Sequence, residues 1–278
     1  GDPEIYFLPV GAAIVKHADH ILKESLHSVI ARIQLRDDSE GGVLYDPLVE
    51  REFCEELLET IGRGRRLKGE KGELVAKPTK VFRPTLNASD SPLDPSILKA
   101  EQTNTSIVFR DRFILKLFRC IEEGINPDLE VGLFLTGKSF PHIPPVAGVL
   151  EYRHGRNARI TLGVLHGFVP NQGDAWQYTQ DVLADYFEYV LTRRGEFPDV
   201  SLTQKHLLDL VDEDFPPGVR EMVGPFLESA QLLGQRTAEL HIALASLPDD
   251  PEFVPEAFST LYQRSLYQSM KNLADRKS

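Results

Sequence analysis

Lys116 is the hardest residue in this sequence to place without chemistry. It sits in Phe113-Ile114-Leu115-Lys116-Leu117-Phe118, where every neighbour is apolar. Strand alternation puts Ile114, Lys116 and Phe118 on one face and Leu115 and Leu117 on the other. A lysine there either reaches water at an edge or is held by a carboxylate, because an unpaired buried ammonium is costly. Glu130 is a carboxylate candidate, on the next helical pattern among Leu129, Val131, Leu133, Phe134 and Leu135. A helix apolar nearly all round is buried, so its acidic groups also want partners. A strand lysine held by a helix glutamate can receive nucleotide phosphates. The plain alternative is an edge lysine and an exposed glutamate.

Two further segments could serve the same chemistry. Thr103, Asn104, Thr105 and Ser106 follow Glu101 and Gln102 in a polar loop without glycine. Hydroxyls, the Asn104 amide and backbone N–H groups there can ligate phosphate oxygens, although polar loops of this kind are common. Leu165, His166, Gly167, Phe168 and Val169 run into Pro170-Asn171-Gln172-Gly173-Asp174, which has the form of a hinge whose backbone can cradle a flat base.

Other candidates favour structural readings. His17, His20 and His27 lack cysteine or aspartate partners at ligand spacing. Asp209, Asp212 and Asp214 read as an exposed acidic loop. Arg63, Arg65, Arg66, Lys68 and Lys71 read as a solvated hairpin loop rather than a phosphate patch. Trp176, Tyr178, Tyr186 and Phe187 read as core packing rather than a sugar platform, and His241 as a buried, hydrogen-bonded histidine.

The elements that must position these residues fall into two halves. Apolar runs at 4–17 and 42–45 are of strand type. Asp46 and Pro47 offer an N-cap and first turn for a helix through Phe53, Leu57, Leu58 and Ile61, ending at Gly62. A strand is expected at 73–76, and the turn-formers of 84–96 mark a boundary. Strands are expected at 97–101, 105–110 and 113–118. A helix capped by Asn126 and Pro127 follows, then strands at 148–153 and 159–169. Beyond 169, helical patterns cover 174–194, 218–246 and 255–274. The fold class is α+β, with a β-β-β-α-β-β order of the kinase N-lobe type followed by helices.

Composition narrows the function. The chain has 278 residues, 41% apolar, with 31 Lys+Arg against 42 Asp+Glu and a net charge of −11. That balance argues against nucleic acid or an anionic membrane as partner. Cys54 and Cys120 make no disulfide framework, and no run is long enough to span a bilayer, so a cytoplasmic location is expected. The start at Gly1 and the helical pattern at the far end read as a piece of something longer.

Three strings then resemble the maltokinase family: EQTNTSIVFRDRFILKLF at 101–118, NPDLE at 126–130 and GFVPNQGDAWQY at 167–178. Further likeness lies in FPHIPPVAGVLEY at 140–152, GQRTAELHIALA at 234–245 and YQRSLYQSMKNL at 262–273. A weaker one runs through FLP and GVLYD. Members occur as free bacterial enzymes and as C-terminal parts of trehalose synthase–maltokinase fusions. The resemblance implies a protein-kinase-like fold akin to aminoglycoside phosphotransferases. Residues 1–95 would form an N-terminal cap subdomain, 96–169 the N-lobe, and 170–278 an incomplete helical C-lobe.

The implied reaction is ATP-dependent phosphorylation of maltose to maltose 1-phosphate, serving trehalose and glycogen metabolism, with Mg²⁺ bridging the phosphates. By position, Lys116 would hold the α/β-phosphates, Glu130 would orient Lys116, and Thr103, Asn104, Thr105 and Ser106 would line the phosphate loop. Leu165, Gly167, Phe168 and Val169 would cradle adenine. Arg110 departs from a usual glycine and His166 from a common glutamine. The family's His-Gly-Asp and Ile-Asp-Phe-Glu segments, with the catalytic aspartate and metal ligands, do not occur in 1–278. No catalytic or metal-binding residue is therefore assigned here, and the chain alone is expected to be inactive as a kinase. The alternatives are a noncatalytic assembly module, with a trehalose synthase domain or oligomer as partner, and another small-molecule kinase.

Overall fold

The computed structural model describes residues 4–34, 41–88, 91–98, 103–155, 158–193, 205–211, 213–214, 222–247 and 251–277. The chain opens with β1 (Ile5–Tyr6), β2 (Gly11–Ile14), α1 (Val15–Glu24), β3 (Val29–Gln34) and β4 (Gly41–Tyr45). Next come α2 (Arg51–Gly62), β5 (Arg66–Lys68), β6 (Gly72–Pro78) and the short α3 (Phe82–Leu86). Then follow β7 (Pro95–Ile97), β8 (Asn104–Phe109), β9 (Phe113–Phe118), β10 (Cys120–Ile121), α4 (Pro127–Gly137), β11 (Val146–His154) and β12 (Ala158–Gly167). Three helices remain: α5 (Ala175–Thr192), α6 (Phe226–Leu244) and α7 (Thr260–Lys277).

Two compact units result, Gly1–Leu191 and Thr192–Ser278. The first carries an antiparallel seven-stranded sheet in the order β5-β6-β11-β12-β9-β8-β7, with a three-stranded sheet β2-β4-β3 and a β1-β10 pair. The divide expected near residue 95 lies inside this unit, and β5 and β6 extend the sheet through the β6–β11 ladder. Turn-forming residues show where the chain changes direction; backbone pairing decides what shares a core. In the second unit α6 has no buried residue, and residues 260–275 of α7 are exposed.

The alternation read around Lys116 is observed. Phe113, Leu115 and Leu117 face the main core with Ile107, Phe109, Leu150 and Leu165, beneath Leu58 and Ile61 of α2 and Phe82 of α3. Phe118 faces the other side with Val146, Val149, Val164 and Leu129 of α4. The sheet is thus covered by helices on both faces. Full burial of a leucine such as Leu115 contributes about 2 kcal/mol.

Helix starts follow from local chemistry. Asn126 Oδ1 accepts the Asp128 N–H at 2.9 Å and Pro127 occupies the first turn, so α4 begins as the sequence predicts. Asp46 Oδ1 likewise accepts the Leu48 N–H at 3.1 Å, but only a 3-10 turn forms over Pro47–Val49. Extended Glu50 separates that turn from α2, its carboxylate taken by Tyr45 Oη at 2.8 Å and His17 Nε2 at 2.6 Å. Burial, with Glu50 alongside, pushes the Tyr45 phenol up to about 12.

The three arginines of the basic loop are ion-paired at the surface. Arg63 meets Glu59, Arg65 meets Glu56 and Glu59, and Arg66 meets Glu73. Two helical expectations are corrected. The half-buried stripe of α5 runs through Thr179, Val182, Tyr186, Tyr189 and Val190, which leaves Trp176 exposed at 73% along with Tyr178 and Phe187. His241 is exposed on α6.

Candidate functional site

Strand β9 carries Lys116 at its centre, opposite Ser106 of β8 and Val164 of β12. Its ammonium is half-buried and donates to Asp128 Oδ2 at 2.7 Å. The carboxylate that holds Lys116 is therefore Asp128, not Glu130. Both acids lie in the first turn of α4, and the cap set by Asn126 and Pro127 aims the earlier one at the strand. Glu130 is half-buried and its side chain makes no ion pair among the described residues. Acids in a first turn also complement the helix dipole, which explains both without assigning either a role. Lys116 Nζ lies 5.4 Å from the Phe118 ring centroid, a second contact fixing its direction.

A cleft of about 370 Å³ opens on the same face of the sheet. Ser106, Ile114 and Lys116 line one part, His166, Gly167, Val169 and Asn171 another, and the Pro141–Pro144 stretch walls it. The wall is stiff: Pro141, Pro144 and Pro145 each fix φ, and the Pro145 carbonyl accepts the Gly167 N–H at 2.8 Å.

The remaining expected site residues are distributed as follows. Thr103 is exposed before β8. Asn104 starts the strand, and Glu101 and Gln102 lie outside the described residues. Thr105 is turned to the opposite face, where its Oγ1 accepts from Arg119 Nε at 2.9 Å, and Arg119 in turn pairs with Asp46 at 2.6 Å. Ser106 alone of the loop set lines the cleft, its side chain buried. Leu165 packs into the main core on the far face.

The linker backbone is partly committed. Gly167 N–H goes to Pro145 and Phe168 N–H to the Arg112 carbonyl at 2.7 Å. Val169 N–H has no partner among the described residues and is the first open donor past the strand. Arg112 fixes this end of the strand: its buried guanidinium donates to the Leu86 carbonyl at 2.7 Å and to the Ser91 carbonyl. Arg110, in the same β8–β9 turn, holds φ at 55°. A left-handed backbone there is what glycine adopts without strain, in keeping with the departure noted at this position.

His166 is the residue that pattern alone undervalued. It lies on the cleft face of β12, opposite Ile114, with Nδ1 3.4 Å from the Pro144 carbonyl. Burial lowers its pKa below the usual histidine value, and Lys116 acts in the same direction. The Pro144 hydrogen bond and Asp128 oppose the shift. A neutral ring near pH 7 follows. Asp128 carried a weaker signal still, because N-terminal acids on helices are ordinary. Among the described residues no group of three His, Cys, Asp or Glu side chains gathers to hold a metal ion.

No family model matches this sequence. Solved structures of glucosamine kinase give slight similarity. Crystal form B has 18% identity and a TM-score of 0.39 over 69% of this chain and 37% of its own. The complex with glucosamine, ADP and inorganic phosphate has 15% identity and a TM-score of 0.41 over 88% and 49%. Crystal form A has 16% identity and a TM-score of 0.40 over 78% and 45%. This chain spans less than half the length of each of the three.

Proposed function

We propose that residues 1–191 form the nucleotide-binding lobe of an ATP-dependent sugar kinase of the maltokinase type, transferring the γ-phosphoryl group of ATP to the anomeric hydroxyl of maltose. The observation that carries this reading is Lys116, a lysine at mid-strand on the floor of a cleft, held by an acid in the first turn of the adjoining helix. An ammonium held that way keeps its charge and its direction, and can meet the α/β-phosphates without reorganising. Ser106, opposite it, offers a hydroxyl to the same oxygens. Val169 N–H offers a donor at the linker end of the cleft, where the base would lie. The orienting role expected of Glu130 falls to Asp128 in this reading.

Maltose as acceptor rests on the resemblance of 101–118, 126–130 and 167–178. Phosphoryl transfer would give ADP and maltose 1-phosphate, with the hydroxyl proton leaving to a base that no described residue supplies.

The test is binding of ATP with magnesium, followed as a thermal shift of the whole chain. Lys116→Ala removes the shift while leaving the unliganded melting temperature within a few degrees, since a partly exposed ion pair contributes under about 1 kcal/mol. An unchanged shift in that variant sinks the assignment.

A further inference from the structure

The hydrogen-bonding state of His166 follows from its neighbours. A carbonyl oxygen can only accept, so the contact with Pro144 places the proton on Nδ1. A neutral ring then leaves Nε2 as a bare acceptor. Nε2 has no hydrogen-bond partner among the described residues, and His166 lines the cleft between Lys116 and the Val169 end. The charged and titratable groups around the ring are Lys116 from β9, Asp128 from α4 and His142 from the proline-rich wall. Elsewhere at the linker end lie the Val169 N–H, the Asn171 side chain and the apolar side chains of Ile114, Ile143 and Pro144.

We infer that His166 selects the nucleobase, its Nε2 accepting a hydrogen bond from an exocyclic amine such as that of adenine and rejecting a base that presents an oxygen there. The inference rests on the nucleotide reading above and deepens it. An adenine offers the N6 amine as a donor; guanine and hypoxanthine place a carbonyl oxygen at the equivalent position. Oxygen against a bare imidazole nitrogen leaves two acceptors facing each other in a partly desolvated cleft. An unmade hydrogen bond of this kind corresponds to roughly tenfold in affinity.

The experiment titrates the whole chain with ATP, GTP and inosine triphosphate, by calorimetry or thermal shift, in wild type, His166→Leu and His166→Gln. Wild type should prefer ATP about tenfold over both other nucleotides. His166→Leu should lose about tenfold for ATP and little for GTP, which collapses the preference. His166→Gln should keep ATP within about threefold and gain GTP, because a carboxamide can turn to present either an acceptor or a donor. An ATP preference that survives in His166→Leu overturns the inference and leaves the nucleotide reading standing. Should His166→Leu not fold, unchanged GTP binding in His166→Gln overturns it equally. A wild-type chain that binds none of the three nucleotides takes down both.

Discussion

Lys116 and Asp128 form a pair whose worth lies in direction rather than stability. Their side chains are 29% and 50% exposed, so the ion pair contributes little to folding. Asp128→Ala should change stability by under about 1 kcal/mol and weaken ATP binding severalfold, because the released lysine samples many rotamers. Glu130→Gln should leave both nearly unchanged. Calorimetry on the two variants separates the acids, and a larger loss in Glu130→Gln would return the role to it. Glu151 shows the opposite balance. It is buried on β11 between Lys77 and Arg153. Burial pushes its carboxyl up, but the Arg153 hydrogen bond and the two cations outweigh that, so the net shift is downward. A depressed carboxylate stabilises the fold above its unfolded value, near pH 4.3, and loses that contribution as pH falls through the folded value. Glu151→Gln, which loses charge-assisted hydrogen bonds, should cost about 2 kcal/mol at pH 7, with the gap to wild type closing below about pH 4 in denaturant melts.

At the scale of elements, much was legible because it is local. The alternation through 113–118 gave both the strand and the faces of its side chains. Asn126 and Pro127 gave the start of α4 to the residue. Which acid of that helix meets Lys116 was not legible, since positions two apart on a helix point in different directions and the choice depends on how α4 docks. That docking is set by glycines. A side chain at Gly132 would sit 2.7 Å from Val146 Cγ2, and one at Gly148 would collide with Ile61 Cγ2 of α2. Each face of the sheet thus admits its helix where a Cβ is missing. Gly148→Val should destabilise by about 2 kcal/mol or more through overpacking, read as a lowered melting temperature. An unaltered melt would show that α2 can shift. β10 escaped reading, and β1 was legible only as part of the apolar run 4–17: two-residue strands carry no period, and their pairing of Ile5 with Ile121 and Tyr6 with Cys120 is wholly nonlocal.

At the scale of the molecule, the ladder joining β6 to β11 matters most. It runs from Gly72 opposite His154 to Pro78 opposite Gly148, so the residues expected to be a separate cap complete the sheet that carries the cleft. A chain beginning at residue 96 should therefore expose β11 as a long apolar edge and aggregate, which light scattering would register; a soluble monomer with native strand content would contradict this. Sequence order concealed the arrangement, because the partner strands lie far apart along the chain. The same ladder bears on how such a protein could change over generations. A sheet whose outermost strands come from upstream residues cannot be swapped between genes at the loop near residue 95, however well that loop marks a joint. Any recombination that keeps the sheet intact must carry the upstream strands with it.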